Sequence, residues 1–287
     1  MRPFPESRFR GMAPMPELPE IETVRRGLLP LIAGRRIVEV RLRERRLRET
    51  VSPRQLAPLR GARIEAVRRR SKYLLIDTSA GCTLLIHLGM TGQLWVADAG
   101  RPDRPHQHLV FALDDGRELR FADARRFGMV KVVRTGSLSR HPRLRGLGPE
   151  PLEDGLTGDR LFRTTRRRRK PVKNFLMDTR AVAGVGNIYA CEALHRAAIN
   201  PRRAVGRIGR DGWDRLVECL RAVLLEAILA GGTTLRDFLN AEGEVGYFAI
   251  ALAVYDREGA PCRRCGAAIR RIVQAGRSTF YCARCQR

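Results

Sequence analysis

The chain has 287 residues and a formal net charge of +25, with a pI near 11.3 and an ordinary apolar content of 44%. That length is enough for two domains with their own cores. The charge demands a polyanion or strong solvation, which favours nucleic acid and leaves an anionic membrane surface second. No run of about 18 apolar residues marks a membrane span. The first fourteen residues lack the apolar centre of a secretory signal. These features give the expectation of a cytoplasmic protein that does not work on a membrane.

In chain order, residues 1–15 carry several prolines and arginines and no periodicity, and read as an extension absent from the active protein. Met15-Pro16-Glu17-Leu18-Pro19-Glu20-Ile21-Glu22 follows. With Met15 removed, Pro16 would present a free secondary amine, whose pKa near ~8 leaves a nucleophilic fraction at neutral pH. Its attack on a sugar C1′ would give an iminium, an electron sink of the Schiff-base type. Glu17 beside it suits proton shuttling. The bland alternative is a Pro/Glu-rich helix start, because prolines and acids both favour a first turn.

The spacing of Ile21, Val24, Leu28 and Ile32 predicts an amphipathic helix over 19–32, ended by Gly34. The period then changes to two. Arg36–Arg43, Ala62–Arg70, Tyr73–Thr78, Thr83–Leu88, Gln93–Ala97, Leu109–Leu113, Glu118–Phe121 and Met129–Arg134 predict eight short strands, hence an antiparallel β-sandwich or barrel. His141–Gly155, rich in Pro, Gly and charge, reads as a linker between a domain over 16–140 and a helical domain over 156–255. Helical spacing marks Asp159–Thr165, Val172–Met177, Ile188–Ala197, Gly212–Leu229 and Thr233–Leu239. The run Arg166–Lys170 is the one biased segment, explained equally well by a solvated basic face.

Cys262-x2-Cys265 and Cys282-x2-Cys285, sixteen residues apart, have the spacing of a four-thiolate zinc ribbon over 256–287. Such a site binds one structural Zn2+. Disulfides are the weaker alternative in a reduced compartment. Cys82, Cys191 and Cys219 lie in apolar surroundings and read as inert buried thiols. Lysines number only four, Lys72, Lys131, Lys170 and Lys173.

Four clusters carry candidate chemistry. Lys72 opens a strand in Ser71-Lys72-Tyr73-Leu74-Leu75. Met90 stands between glycines in His87-Leu88-Gly89-Met90-Thr91-Gly92, where an apolar tip suits insertion into a base stack. Asp123-Ala124-Arg125-Arg126-Phe127-Gly128 adds an aromatic and two guanidiniums able to read a base edge. Gly184-Val185-Gly186-Asn187 precedes a helix, so its free amides form an anion cradle, or else a plain helical corner.

Taken together these motifs, with PELPEIE, GVGNIYACEAL, GGTTLRDF and GYF in the same order, resemble bacterial formamidopyrimidine-DNA glycosylases over Met15–Arg287. The resemblance implies an α+β multidomain protein: an N-terminal antiparallel β-sandwich with a leading helix, then a helix–two-turn–helix domain with a zinc ribbon. It implies a bifunctional glycosylase and AP lyase, nucleoid-associated and working as a monomer, acting on double-stranded DNA with oxidised purines or abasic sites. By the same resemblance Pro16 is the nucleophile, Glu17 the proton shuttle and Glu20 a supporting carboxylate. Lys72 and Lys173 fall at lesion-proximal phosphates and the active site. Met90, Arg125 and Phe127 match the residues that fill the void left by the flipped base, Arg125 facing the orphaned cytosine. Asn187, Arg277 and His108 match DNA-contacting positions, and Glu242–Phe248 the loop over the flipped base. Endonuclease VIII-like enzymes share the nucleophile but prefer oxidised pyrimidines. A zinc-ribbon protein that binds DNA without catalysis is the rival from another class, and Met1–Pro14, if retained, would favour it.

Overall fold

The structure, a computed structural model, describes residues 15–231 and 252–287. The extension Met1–Pro14, the helix expected at Thr233–Leu239 and the loop Glu242–Phe248 lie outside the described residues.

Helix α1 (Leu18–Ile32) carries the predicted stripe, with Leu18, Ile21, Val24, Leu28 and Ile32 all buried. Its first turn is closed by the backbone N–H of Glu17, which donates to the Glu20 carboxylate at 2.9 Å. That is one half of a capping box. Its end is fixed by Gly34, which takes φ +79°, a conformation that glycine alone adopts cheaply.

All eight predicted strands form. Strands β1 (Ile37–Leu42), β6 (Gln107–Leu113), β7 (Arg117–Asp123) and β5 (Gly92–Asp98) make one sheet in that order. Strands β2 (Ile64–Arg70), β3 (Tyr73–Thr78), β4 (Cys82–His87) and β8 (Met129–Arg134) make the other. Every pairing is antiparallel. Inward side chains of both sheets, among them Leu74, Ile76, Ile86, Phe111 and Phe121, join the α1 stripe in one core. A short turn of helix, α2 (Pro53–Leu56), was not expected; Ser52 caps it by accepting from the Gln55 N–H.

The helical part contains α3 (Gly158–Thr165), α4 (Val172–Leu176), α5 (Asn187–Arg196) and α6 (Arg210–Leu229). They close on a second core around Trp213, Tyr189, Leu194 and Leu220. The ribbon is a hairpin of β9 (Arg270–Gln274) and β10 (Arg277–Tyr281), packed on α5 through Cys191, Val254 and Phe280. Helix α1 touches β2 and β5 on one side and α6 on the other, so the leading helix belongs to both halves.

The segment between the halves is tightly bonded. Glu150 is buried, and its carboxylate accepts from Arg69 (2.6 Å), Arg70 (2.7 Å) and the Ser71 N–H (2.6 Å). On the other side the Gly148 N–H donates to Thr179 O and the Pro149 carbonyl accepts from Ala183 N. Ser71, at φ +55°, is therefore held just ahead of Lys72.

Candidate DNA-processing site

The site gathers where the start of α1 meets the start of α5. Pro16 is buried and Met15 half-buried. The next residue, Glu17, is buried and its carboxylate accepts from the backbone N–H groups of Ile188 (3.0 Å) and Tyr189 (3.5 Å). The helix amides expected to cradle an external anion thus hold the protein's own carboxylate. The glycines make this approach possible: a Cβ at Gly186 would lie 2.2 Å from the Glu17 carboxyl carbon. Gly184, at φ +78°, leaves room for Leu18 and accepts that residue's N–H through its carbonyl at 3.2 Å.

Burial pushes the Glu17 carboxyl above its ordinary range; Lys72 draws it back and Glu20 pushes it further up. Burial also lowers the Lys72 ammonium, offset by the charges of Glu17 and Glu20 and reinforced by Arg277. Glu20 accepts from the Tyr189 hydroxyl at 2.6 Å. Two carboxylates and a lysine are therefore buried together beside Pro16, and burial disfavours the charged forms of Glu17 and Lys72. Perturbed groups of this kind mark sites built for proton transfer.

Arg277 is exposed at the start of β10. The residues behind it are fixed: the Asn187 side-chain amide donates to Ser278 O at 2.9 Å. Lys173 Nζ donates to Thr279 Oγ1 (2.6 Å) and Ser278 O (3.2 Å). Lys173, expected at a DNA phosphate, is fully buried. In this arrangement it anchors the ribbon strand, and burial lowers its pKa. Asn187, expected at a phosphate, is half-buried on the same anchor.

A second cluster lies on the sandwich. The Met90 turn rests on the Phe127–Gly128 backbone so closely that a Cβ at Gly89 would meet Phe127 C at 2.5 Å. Arg125 and Phe127 are exposed, with the guanidinium 4.8 Å from the ring centroid, and Met90 is half-buried. Asp123 is the post that joins them. Its carboxylate accepts from Thr91 Oγ1 and, at 2.6 Å, from the Gly128 N–H, while Thr91 Oγ1 accepts from Arg125 N at 3.1 Å. His108 was expected to touch DNA; it is buried, 2.8 Å from the Asp123 carbonyl through Nε2, and so braces this loop from below. His87, lowered to about 4 by burial, keeps a neutral ring whose Nδ1 accepts from the Gly89 N–H at 2.9 Å.

The four ribbon cysteines place their Sγ atoms within 4.8 Å of one another, with Cys262···Cys285 at 3.9 Å and Cys265···Cys282 at 3.4 Å. Tetrahedral thiolates at about 2.3 Å from zinc stand roughly 3.8 Å apart, so the donors fit one structural Zn2+ with no open position. His195 Nε2 lies 3.5 Å from Cys262 Sγ, tying α5 to the ribbon. Of the remaining cysteines, Cys191 is buried and pushed up to about 11, and Cys82 is buried. Cys219 is only half-buried.

Sequence reasoning passed over Asp123, Tyr189, Glu192 and His195 as partners. Glu192 is buried and accepts from the N–H groups of Ala253, Val254 and Tyr255 at 2.8–2.9 Å, fixing the entry to the ribbon. All but His195 stood inside quoted motifs; only the fold shows whom they face.

An antiparallel sandwich and a helical unit with a zinc ribbon, joined at a buried acid–lysine pocket, define a DNA-repair glycosylase of the helix–two-turn–helix, zinc-ribbon class. Family models agree: the formamidopyrimidine-DNA glycosylase N-terminal domain matches residues 15–130, its H2TH domain 147–239, and the zinc finger found in FPG and IleRS 259–287. The chain belongs to the formamidopyrimidine-DNA glycosylase family. It is 50% identical over 273 residues to the formamidopyrimidine-DNA glycosylase of Stenotrophomonas maltophilia (strain R551-3), covering 95% of this chain and all of the relative. It is 51% identical over 279 residues to that of Alkalilimnicola ehrlichii, with the same coverage. The MutM (Fpg) structure from Thermus thermophilus superposes with a TM-score of 0.83 at 42% identity, covering 94% of this chain and 98% of that one. A Lactococcus lactis Fpg complex with abasic-site DNA gives 0.87 at 32% identity, covering 95% and 100%.

Proposed function

We propose that this chain removes oxidised purines from duplex DNA and cuts the strand at the resulting site, with Pro16 as nucleophile. The observation that carries the reading is the desolvated Glu17–Glu20–Lys72 group beside Pro16, seated on the start of α5. One relative, the Lactococcus lactis Fpg, is solved with DNA containing Fapy-dG and with DNA containing an abasic site, which supports the same substrate class.

The damaged base is flipped out of the stack, since its glycosidic carbon is shielded inside the duplex. Met90 and Phe127 fill the gap, and Arg125 offers two donors to the acceptor edge of the facing cytosine. The Pro16 nitrogen attacks C1′; the N–C1′ bond forms and the bond from C1′ to the base breaks. The base leaves with that electron pair and takes up a proton. The amine proton is lost, the C1′–O4′ bond breaks as O4′ takes up a proton, and the opened sugar is left as an iminium. Glu17, whose carboxyl holds a proton more readily than an exposed one, delivers and retrieves protons around the sugar. The iminium acidifies C2′–H. Its removal expels the 3′ phosphate, and a second elimination expels the 5′ phosphate. Lys72 supplies positive charge to the flanking phosphate. The ribbon, held by zinc and anchored by Lys173 and Asn187, presents Arg277 to the backbone.

This chemistry needs an amine on Pro16, and a peptide bond from Met15 removes it. We infer that the active form begins at Pro16, and that residues 1–15 stand outside the working domains at 16–140 and 156–287. The family match from residue 15 supports this. We also place the protein in the cytoplasm, on the nucleoid. The test is borohydride trapping on an abasic duplex with two purified forms. The form beginning at Pro16 should trap quantitatively. A homogeneous form beginning at Met1 that trapped equally well would overturn Pro16 and direct the search to Lys72.

A further inference from the structure

The run Arg166–Lys170 takes no part in the site above. Helix α3 ends at Thr165 with Arg166 as its C-cap, Arg167 turns at φ +63°, and the chain then runs against residues 203–206. The Val172 N–H donates to Arg203 O (2.8 Å), Val205 N to Lys170 O (3.0 Å) and Gly206 N to Arg168 O (3.0 Å). A Cβ at Gly206 would lie 2.9 Å from Arg168 N and O, so the two backbones sit as close as glycine allows. Thr165, Val205 and Ile208 are buried beneath, and the arginines of both segments point outward, exposed.

Against the second stretch opens a cavity of about 590 Å³ lined by Asn200, Arg202, Arg203, Ala204, Arg207 and Arg287. The neighbours at its margins are neutralised: Lys170 pairs with Asp178 and Arg210 with Asp159, both at 2.7 Å. Among the described residues, no ion pair reaches the four arginines of the cavity or Arg166–Arg169. Eight guanidiniums on one rigid surface repel one another unless a polyanion lies across them. Their spread over two antiparallel stretches of chain suits a row of phosphates better than a single small anion.

The surface is continuous with the ribbon. Pro201, one residue before Arg202, accepts through its carbonyl from Gln274 Nε2 (3.3 Å) and from Lys173 N (3.3 Å). Gln274 closes β9, and Arg277 opens β10 just after the turn. A backbone gripped by Arg277 therefore borders this patch.

We propose that the surface built from Arg166–Arg169, Arg202, Arg203, Arg207 and Arg287 binds the phosphate backbone of the duplex flanking the lesion, on one side only. This rests on the DNA reading above and extends it to contacts outside the lesion pocket. It predicts an asymmetric footprint and a steep salt dependence, each phosphate neutralised adding about 0.9 to the slope of log affinity against log salt.

The test uses the form beginning at Pro16 and duplexes bearing an abasic analogue. One is short; two others are lengthened on the 5′ or the 3′ side of the lesion. Affinity is measured across a salt series. The unsubstituted protein should gain affinity from one extension and not the other. The triple variant Arg202→Ser, Arg203→Ser, Arg207→Ser should lose that gain, with the slope on the favoured duplex falling by roughly 2 to 3. The triple lysine variant should keep it, because a phosphate row accepts point charges. Zinc content and thermal unfolding report whether each variant is folded. Equal gain from both extensions, or a gain that survives serine, overturns the proposal. So does loss already present on the short duplex, which would assign the arginines to the lesion site. Failure of the unsubstituted protein to bind any of these duplexes would instead bring down the DNA reading itself.

Discussion

The pocket at the start of α1 and the loop cluster on the sandwich both hang on a buried carboxylate, and they use it in opposite ways. Glu17 is desolvated, flanked by Glu20 and Lys72, and held above its ordinary pKa by burial. Asp123 is equally buried and, like Glu17, accepts from two donors, but its donors, Thr91 Oγ1 and Gly128 N, come from the two loops that it ties together. The first carboxyl keeps a proton in play at a cost to the fold. The second fixes a frame from which Arg125 and Phe127 project into solvent. Chemistry requires groups taken out of water, whereas reading a base requires side chains that reach beyond the surface from a rigid base.

The largest effect that sharpens this contrast comes from Glu17→Gln. Glutamine keeps an acceptor for the nearer amide, that of Ile188, but moves no proton, so base excision should fall by about 10²–10⁴-fold. Stability should move the other way. A carboxyl whose folded pKa is raised contributes stability below its ordinary value of 4.5 and loses it as the pH rises through the folded value. The variant should therefore melt higher than the parent, on the order of a few degrees, by a margin that widens above pH 4.5 and closes below it. A margin independent of pH would show that Glu17 carries no strain of burial.

Next comes the ribbon, whose Arg277 lies close enough to the pocket to act on the charge of Lys72. Cys285→Ser should release zinc, because folding and metal binding of such a module are coupled, and weaken abasic-DNA binding at least tenfold. Metal content and Kd measured on one preparation check this; a zinc-free variant of full affinity would sever ribbon from site.

Much of this contrast was visible in the residues. Period-two runs gave all eight sandwich strands, and the Ile21–Ile32 stripe gave α1 to within one residue, because both patterns record which side of an element meets a core. The cysteine spacing gave the metal site for the same local reason. Partners distant in the chain were beyond reach. The amides of α5 looked free until Glu17, some 170 residues away, was seen to occupy them. Lys173 and His108 read as cations or donors for DNA, since a one-dimensional motif cannot say that a side chain points inward to Thr279 or Asp123. The α2 turn and the Glu150 latch escaped notice because neither has a period.

On the sandwich, Arg125→Ala should narrow the preference for a lesion opposite C over one opposite A. One base-edge pair is worth roughly 1–3 kcal/mol of discrimination. Paired excision rates on the two duplexes measure it, and an unchanged ratio would remove Arg125 from base reading.

The smallest effect tests whether the frame itself matters. Thr91→Val keeps the shape of the half-buried side chain and deletes the hydroxyl that joins Asp123 to the Arg125 backbone. Arg125 N is on the exposed side of the loop, and water replaces that bond at little cost. The lost Asp123 contact is worth about 0.5–1.5 kcal/mol of local order. The guanidinium remains but is less well aimed. The C-over-A ratio should then fall by a few-fold, less than in Arg125→Ala, while abasic-site cleavage, which depends on the Glu17 pocket, stays at the parental rate. Combining Thr91→Val with Arg125→Ala should add nothing further to the ratio, since the hydroxyl acts through the arginine it positions. Full additivity of the two losses would mean that Thr91 touches DNA directly, and the loop would then be a contact surface in its own right instead of a mount for Arg125.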